Sequence, residues 1–128
     1  MSHIQKVNTQ IKSLKALKKA VKQLGLNFEE GVKSFNYYGS SMGQCDHVIR
    51  NGSDSKAIGV VSNGDKTFSL SWDPDYLGKA RDIIGRDAGA LKQEYGVQVA
   101  IETAEAQGMY ATRYAQADGS VRIECEYA

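Results

Sequence analysis

Two cysteines and two histidines are the only thiol and imidazole donors among the 128 residues, and one of each falls in the tripeptide Cys45-Asp46-His47. On a strand, Cys45 and His47 share a face, so a thiolate and an imidazole could meet on one soft divalent ion. Structural zinc takes a tetrahedral ligand set, and only His3 and Cys125 remain to complete it, without any CxxC or HxxxH spacing. The structural alternative makes Cys45 a small buried hydrophobe and His47 a surface or hydrogen-bonded ring. Nucleophilic catalysis would pair Cys45 or Cys125 with His3 or His47, yet neighbours on one strand face stand side by side rather than in line. No carboxylate pair stands out by spacing for acid–base work. Glycine-rich phosphate motifs are absent. Neither a metal nor another cofactor is expected.

Two further groups concern binding rather than bond-making. Phe35 to Gln44, with Tyr37 and Tyr38 ahead of Gly39-Ser40-Ser41-Met42-Gly43, reads as a mobile loop or a distorted edge. Closed over a ligand, it would form a site with Tyr37, Tyr38, Cys45 and His47. The second group is a stripe of lysines. At 100° per residue, Lys12, Lys15, Lys18, Lys19 and Lys22 fall within an arc of about 120° opposite a row of leucines. A solvated helix face commonly mixes signs, since i,i+4 ion pairs support it, but residues 1–24 contain six lysines and no acid. Lys15 also sits in the first turn, where the macrodipole disfavours a cation. Solubility, acids elsewhere in the fold, or an external acidic partner would account for the arrangement.

The elements that position these groups follow from periodicity. Ser2 to Val7 alternates as a short strand. Ser13 caps a helix to about Leu24, with Leu14, Leu17, Val21 and Leu24 on one stripe and Gly25 as its stop. Leu26–Glu29, Cys45–Arg50, Ala57–Ser62 and Thr67–Trp72 read as strands. Asn63-Gly64 signals a hairpin with a type I′ turn. Asp73-Pro74 looks like a helix start, with apolar residues at helical spacing to Tyr95, a break expected near Gly78 or Gly85, and Gly96 as its end. Val97–Gln107 favours a short helix ending at Gly108. Met109–Gln116 and Val121–Tyr127 form a last hairpin around Asp118-Gly119. The order β-α-β-β-β-β-α-(α)-β-β predicts an α+β fold, a mainly antiparallel β-sheet covered on one face by two or three helices.

Length and composition, 41% hydrophobic and 24% charged, fit one soluble globular domain spanning residues 1–128. No apolar run is long enough to span a bilayer, and the N-terminus lacks the apolar core of a secretory signal. Both thiols are expected to be free in a reducing compartment. The formal net charge is +1, which gives no whole-chain attraction for nucleic acid, but the charge is uneven: residues 98–128 carry −3 against +6 for residues 1–24.

Ser2-His3-Ile4, Thr9-Gln10-Ile11, Leu14, Leu17, Leu24-Gly25 and Gly31 resemble the hypothetical chloroplast reading frame thirty-five family, the domain of unknown function DUF1257. Ile58-Gly59, Asn63-Gly64, Asp73 to Tyr76, Gly108-Met109 and Asp118-Gly119-Ser120-Val121-Arg122 extend the likeness over the chain. The C-terminal end is less aromatic, and the second helix richer in glycine, than that family's pattern. The resemblance supplies no catalytic residues and implies a small soluble protein of the cytoplasm or plastid stroma. The leading expectation is a non-enzymatic accessory protein that docks an acidic protein, or with less support nucleic acid, through Lys12, Lys15, Lys18, Lys19 and Lys22. The alternative is a small-molecule-binding protein or small enzyme with its site beneath residues 37–43.

Overall fold

The computed structural model describes residues 5–39, 41–73 and 77–127, with the side chains of residues 5–9 and 79 left aside. Their elements run β1 (Gln5–Ile11), α1 (Leu14–Gln23), β2 (Asn27–Glu30), β3 (Ser34–Tyr38), β4 (Ser41–Gln44), β5 (His47–Arg50), β6 (Ile58–Ser62), β7 (Phe68–Trp72), α2 (Lys79–Ile84), α3 (Gly89–Ala106), β8 (Met109–Ala115) and β9 (Val121–Tyr127). The α+β class and the predicted order of strands and helices hold, with β3 and β4 added where that order had no strand. The strands divide among three antiparallel sheets: β1-β7-β6-β5-β2, and the separate hairpins β3-β4 and β8-β9.

Alternation along the strands of the large sheet builds two cores, one on each face. Ile49, Ile58, Val60, Leu70 and Trp72 turn to the helices, where they meet Leu17, Ala20 and Val21 of α1, Ala80 and Ile84 of α2, and Leu91 of α3. Val48 turns the other way, into a smaller cluster with Phe35, Cys45 and Ala57. Of the two readings of residues 35–44, a mobile loop or a distorted edge, that cluster excludes the mobile loop, and the pairing carries a register irregularity between Asn36 and Tyr38. The segment is the β3-β4 hairpin, and its glycines make room rather than slack: a Cβ at Gly43 or Gly59 would lie 2.6 or 2.4 Å from Cε1 of the Phe35 ring.

Other boundaries move for local reasons. The first strand reaches Ile11, and Ser2 to Ile4 lie outside the described residues. Asn63-Gly64 does start the β6-β7 connection, but Ser62 pairs with Phe68, leaving a five-residue loop instead of a two-residue type I′ turn. Positive φ falls on Gly64 and Lys66, and the loop closes by the Asn63 N–H donating to the Thr67 carbonyl at 2.9 Å. The second helix starts at Lys79, with Gly78 rather than Asp73 as its cap, and Pro74 and Tyr76 lie outside the described residues. Its break comes at Gly85, whose φ of 81° suits glycine and where a Cβ would meet the Ala90 nitrogen at 3.0 Å. Gly96 does not end a helix. Its face of α3 is exposed and a Cβ there would meet nothing, so the later part of the first expected helix and the second expected helix run on as α3, stopped by Gly108 at φ 80°.

Candidate functional site

The start of α1 is fixed from several sides. Ser13 Oγ accepts the Ala16 N–H at 3.0 Å and donates to the Glu102 carboxylate at 3.1 Å. The Tyr95 hydroxyl accepts the N–H groups of Lys12 and Ser13 at 2.9 and 3.1 Å. With Ala16, Leu17, Ala20 and Val21 buried, the helical period turns Lys15, Lys19 and Lys22 outward, and all three are exposed. None of the three forms an ion pair among the described residues.

Two of the five lysines differ from their sequence placement. Lys12 precedes the Ser13 cap and so stands outside the helix, where its charge adds to the Thr67 hydrogen bonds that hold the Asp65 carboxyl below its ordinary range. Lys18 is half-buried and paired within the fold. Its ammonium lies 2.9 Å from Glu30 Oε1 and 5.7 Å from the centre of the Phe28 ring. A hydrogen bond from Lys18 lowers the Glu30 pKa, and the lysine's charge acts in the same direction. Glu30 is the acid that helix-spacing arguments miss, because strand β2 brings it in rather than the helix itself. Lys18, Lys22, Leu26, Asn27, Phe28 and Glu30 border an open groove of about 570 Å³ along this side of the helix.

The residues of the alternative site divide between the two faces of the sheet. Tyr37 is half-buried with its ring 6.0 Å from that of Phe35, and Tyr38 is exposed near the hairpin tip. Cys45 precedes β5 and packs in the Phe35 cluster. Its thiol donates to the Val32 carbonyl at 3.2 Å, and burial pushes its pKa up, with the Asp46 carboxylate adding to the effect. His47 points to the helix side, its Nδ1 accepting the Gly31 N–H at 3.0 Å and its ring 5.4 Å from Phe28 and 6.0 Å from Phe68. The expected shared face of Cys45 and His47 is therefore not formed, because Cys45 lies off the strand. His3 lies outside the described residues. Among the described residues no three of His, Cys, Asp and Glu converge as a metal site. A second open groove, of about 570 Å³, is lined by Asn51, Ser53, Asp54, Ser55, Lys56, Leu77 and Gly78; it holds neither tyrosine nor either soft donor.

One buried ion pair was not visible as a pattern in the sequence. Glu94 of α3, 6% exposed, accepts Arg113 of β8 through both carboxylate oxygens at 2.6 and 2.8 Å, and Gln98 at 2.9 Å. Burial alone would raise the Glu94 pKa; the Arg113 and Gln98 hydrogen bonds outweigh it and lower it. This pair ties the last hairpin to the helix layer.

The fold and its surfaces define a small α+β protein, sheet-centred, with an outward lysine face on its first helix and no helix among the described residues long and apolar enough to cross a membrane. Residues 20–123 match the family model described as a protein of unknown function, DUF1257, and the chain belongs to that family. The family read from the sequence thus holds over residues 20–123. No curated protein and no solved structure is significantly similar to the chain.

Proposed function

We propose that this chain is a non-enzymatic accessory protein whose α1 face docks an acidic protein surface. The supporting observation is that Lys15, Lys19 and Lys22 stay exposed and outside any ion pair among the described residues, whereas Lys18 is matched to Glu30 inside the fold. A cation in the first turn, as at Lys15, opposes the macrodipole. Helix stability therefore does not explain the stripe, and complementarity to an outside anion does. The Phe28 edge of the groove beside Lys18 and Lys22 adds an apolar contact of the sort that gives an interface its core. A protein is favoured over nucleic acid because the net charge is only +1 and the C-terminal third is acidic.

The test compares wild type with the triple variant Lys15→Glu, Lys19→Glu, Lys22→Glu for capture of acidic proteins from the native extract and for binding to duplex DNA. The reading predicts capture by wild type, loss in the variant, and a salt response limited by screening rather than by phosphate-counterion release. Equal capture by both proteins would overturn it, and a DNA affinity falling steeply with salt would replace the protein partner with nucleic acid.

A further inference from the structure

The C-terminal hairpin stands apart from the large sheet. β8 and β9 pair without a register shift from Met109↔Tyr127 to Ala115↔Val121, and neither has a third strand beside it among the described residues. β9 thus leaves a row of backbone N–H and C=O groups unpaired, on a two-stranded sheet whose support is its packing against α3. Natural edges are blunted by charged side chains, proline or a bulge; Val121–Tyr127 has no proline, lysine or bulge, and its protection rests on three charges of mixed sign. Its charges are Arg122, Glu124 and Glu126, which alternate with Val121, Ile123 and Cys125. Arg122 lies 2.9 Å from Glu124 of its own strand and 4.8 Å from the centre of the Tyr114 ring, with the Arg122 and Glu124 side chains 57% and 45% exposed.

Read against itself in the antiparallel sense, this strand is self-complementary. A twofold axis at Ile123 sets Arg122 against Glu124 twice, Val121 against Cys125 twice, and Ile123 against its own copy. Like charges directly opposite destabilise a pair of strands, and the neighbouring registers that keep the same faces together all create them. An axis at Arg122 opposes two arginines, one at Glu124 opposes two glutamates, and one at Cys125 sets Glu124 against Glu126. Of these four registers only the one about Ile123 is free of such a clash.

We propose that β9 is a self-association strand: two copies of the chain pair β9 to β9 about Ile123, forming one four-stranded antiparallel sheet. Pairing satisfies the open backbone edge, and Arg122 gains the partner's Glu124 as a second acceptor. This interface is distinct from the α1 face and stands or falls separately from it.

The mass of the wild-type chain under reducing conditions, by light scattering or sedimentation equilibrium, is that of a dimer. Arg122→Glu sets glutamates opposite one another, and the double variant Glu124→Arg, Glu126→Arg sets arginines opposite one another in the registers about Ile123 and Cys125 alike, so each variant alone is monomeric. Their equimolar mixture brings an all-acidic strand against an all-basic one and recovers the dimer. As an independent reading, Ile123→Cys in a Cys125→Ser background places a thiol at the axis and oxidises to a covalent dimer, whereas Arg122→Cys in that background does not. A monomeric wild type at its highest soluble concentration, either charge variant remaining a dimer by itself, a mixture that fails to reassociate, or equal cross-linking by both cysteine variants would each overturn the proposal.

Discussion

Substituting Gly59 by alanine tests whether the β3-β4 hairpin is packed rather than mobile. The new methyl carbon would lie 2.4 and 2.5 Å from Cε1 and Cδ1 of Phe35. Ordinary contact begins near 3.4 Å, so the ring or β6 must give by about 1 Å, the difference between 3.4 and 2.4. Phe35 is 1% exposed and its ring also lies against Gly43, where a Cβ would come within 2.6 Å, so the ring is confined from two strands. Overpacking of this kind costs about 1–3 kcal/mol. Restricting the unfolded chain by replacing glycine returns about 0.4–1 kcal/mol where the native backbone is compatible, and Gly59 is not among the positive-φ residues. The net expectation is a loss of about 1–2 kcal/mol, or roughly 4–8 °C in Tm for a chain of this size. Thermal unfolding followed by circular dichroism reads it directly. In a Phe35→Leu background the same substitution should cost much less, because the atoms it strikes are gone, and the double-mutant cycle measures that coupling. A Gly59→Ala protein as stable as wild type, or costs that simply add, would refute a packed ring between these strands.

Four more outcomes follow from other contacts in the fold. Glu94 has its pKa lowered in the fold, so its contribution is complete above the ordinary glutamate range and is lost as pH falls through the folded value; wild type minus Glu94→Gln in denaturant unfolding should show that acid-side loss. Arg113→Met leaves the Glu94 carboxylate buried without its partner and should cost about 2–3 kcal/mol, less than the ~3–5 kcal/mol of a fully buried pair, because the Arg113 side chain is 32% exposed. Cys45, buried with its thiol pKa raised, should resist alkylation until the protein unfolds while exposed Cys125 reacts, as mass spectrometry of the labelled chain can check. Ser13→Ala removes the cap on Ala16 and the hydroxyl that meets Glu102, and should cost about 1 kcal/mol in thermal or denaturant unfolding.

What the sequence made legible is uneven for physical reasons. α1 is plain because cap, apolar stripe and Gly25 stop all agree: Ser13, Leu17, Val21 and a C-terminal glycine at φ 78° each point to one element. The Phe35–Gln44 hairpin is hidden because Gly43 signals flexibility in one dimension and serves as space for a ring in three. Gly96 misleads in the opposite way, since an exposed helical glycine costs up to about 1 kcal/mol relative to alanine without ending a helix that is packed on both sides of it by Leu91 and Val97. For the candidate sites, the basic face of α1 could be read from spacing, but the removal of Lys18 from it by Glu30 could not, since that pair depends on β2 lying beside the helix. The faces taken by Cys45 and His47 depend on where β5 begins, and a two-residue change in that boundary separates them.

The central claim, that α1 is the docking face, is tested most directly by the amine reactivity of the lysines in the free chain and in the isolated complex with its acidic partner. Acetylation read by mass spectrometry should fall at Lys15, Lys19 and Lys22 in the complex, while Lys33 and Lys66, exposed in the β2-β3 and β6-β7 connections, react as in the free chain. Unchanged reactivity along α1, with protection appearing elsewhere, would contradict the account.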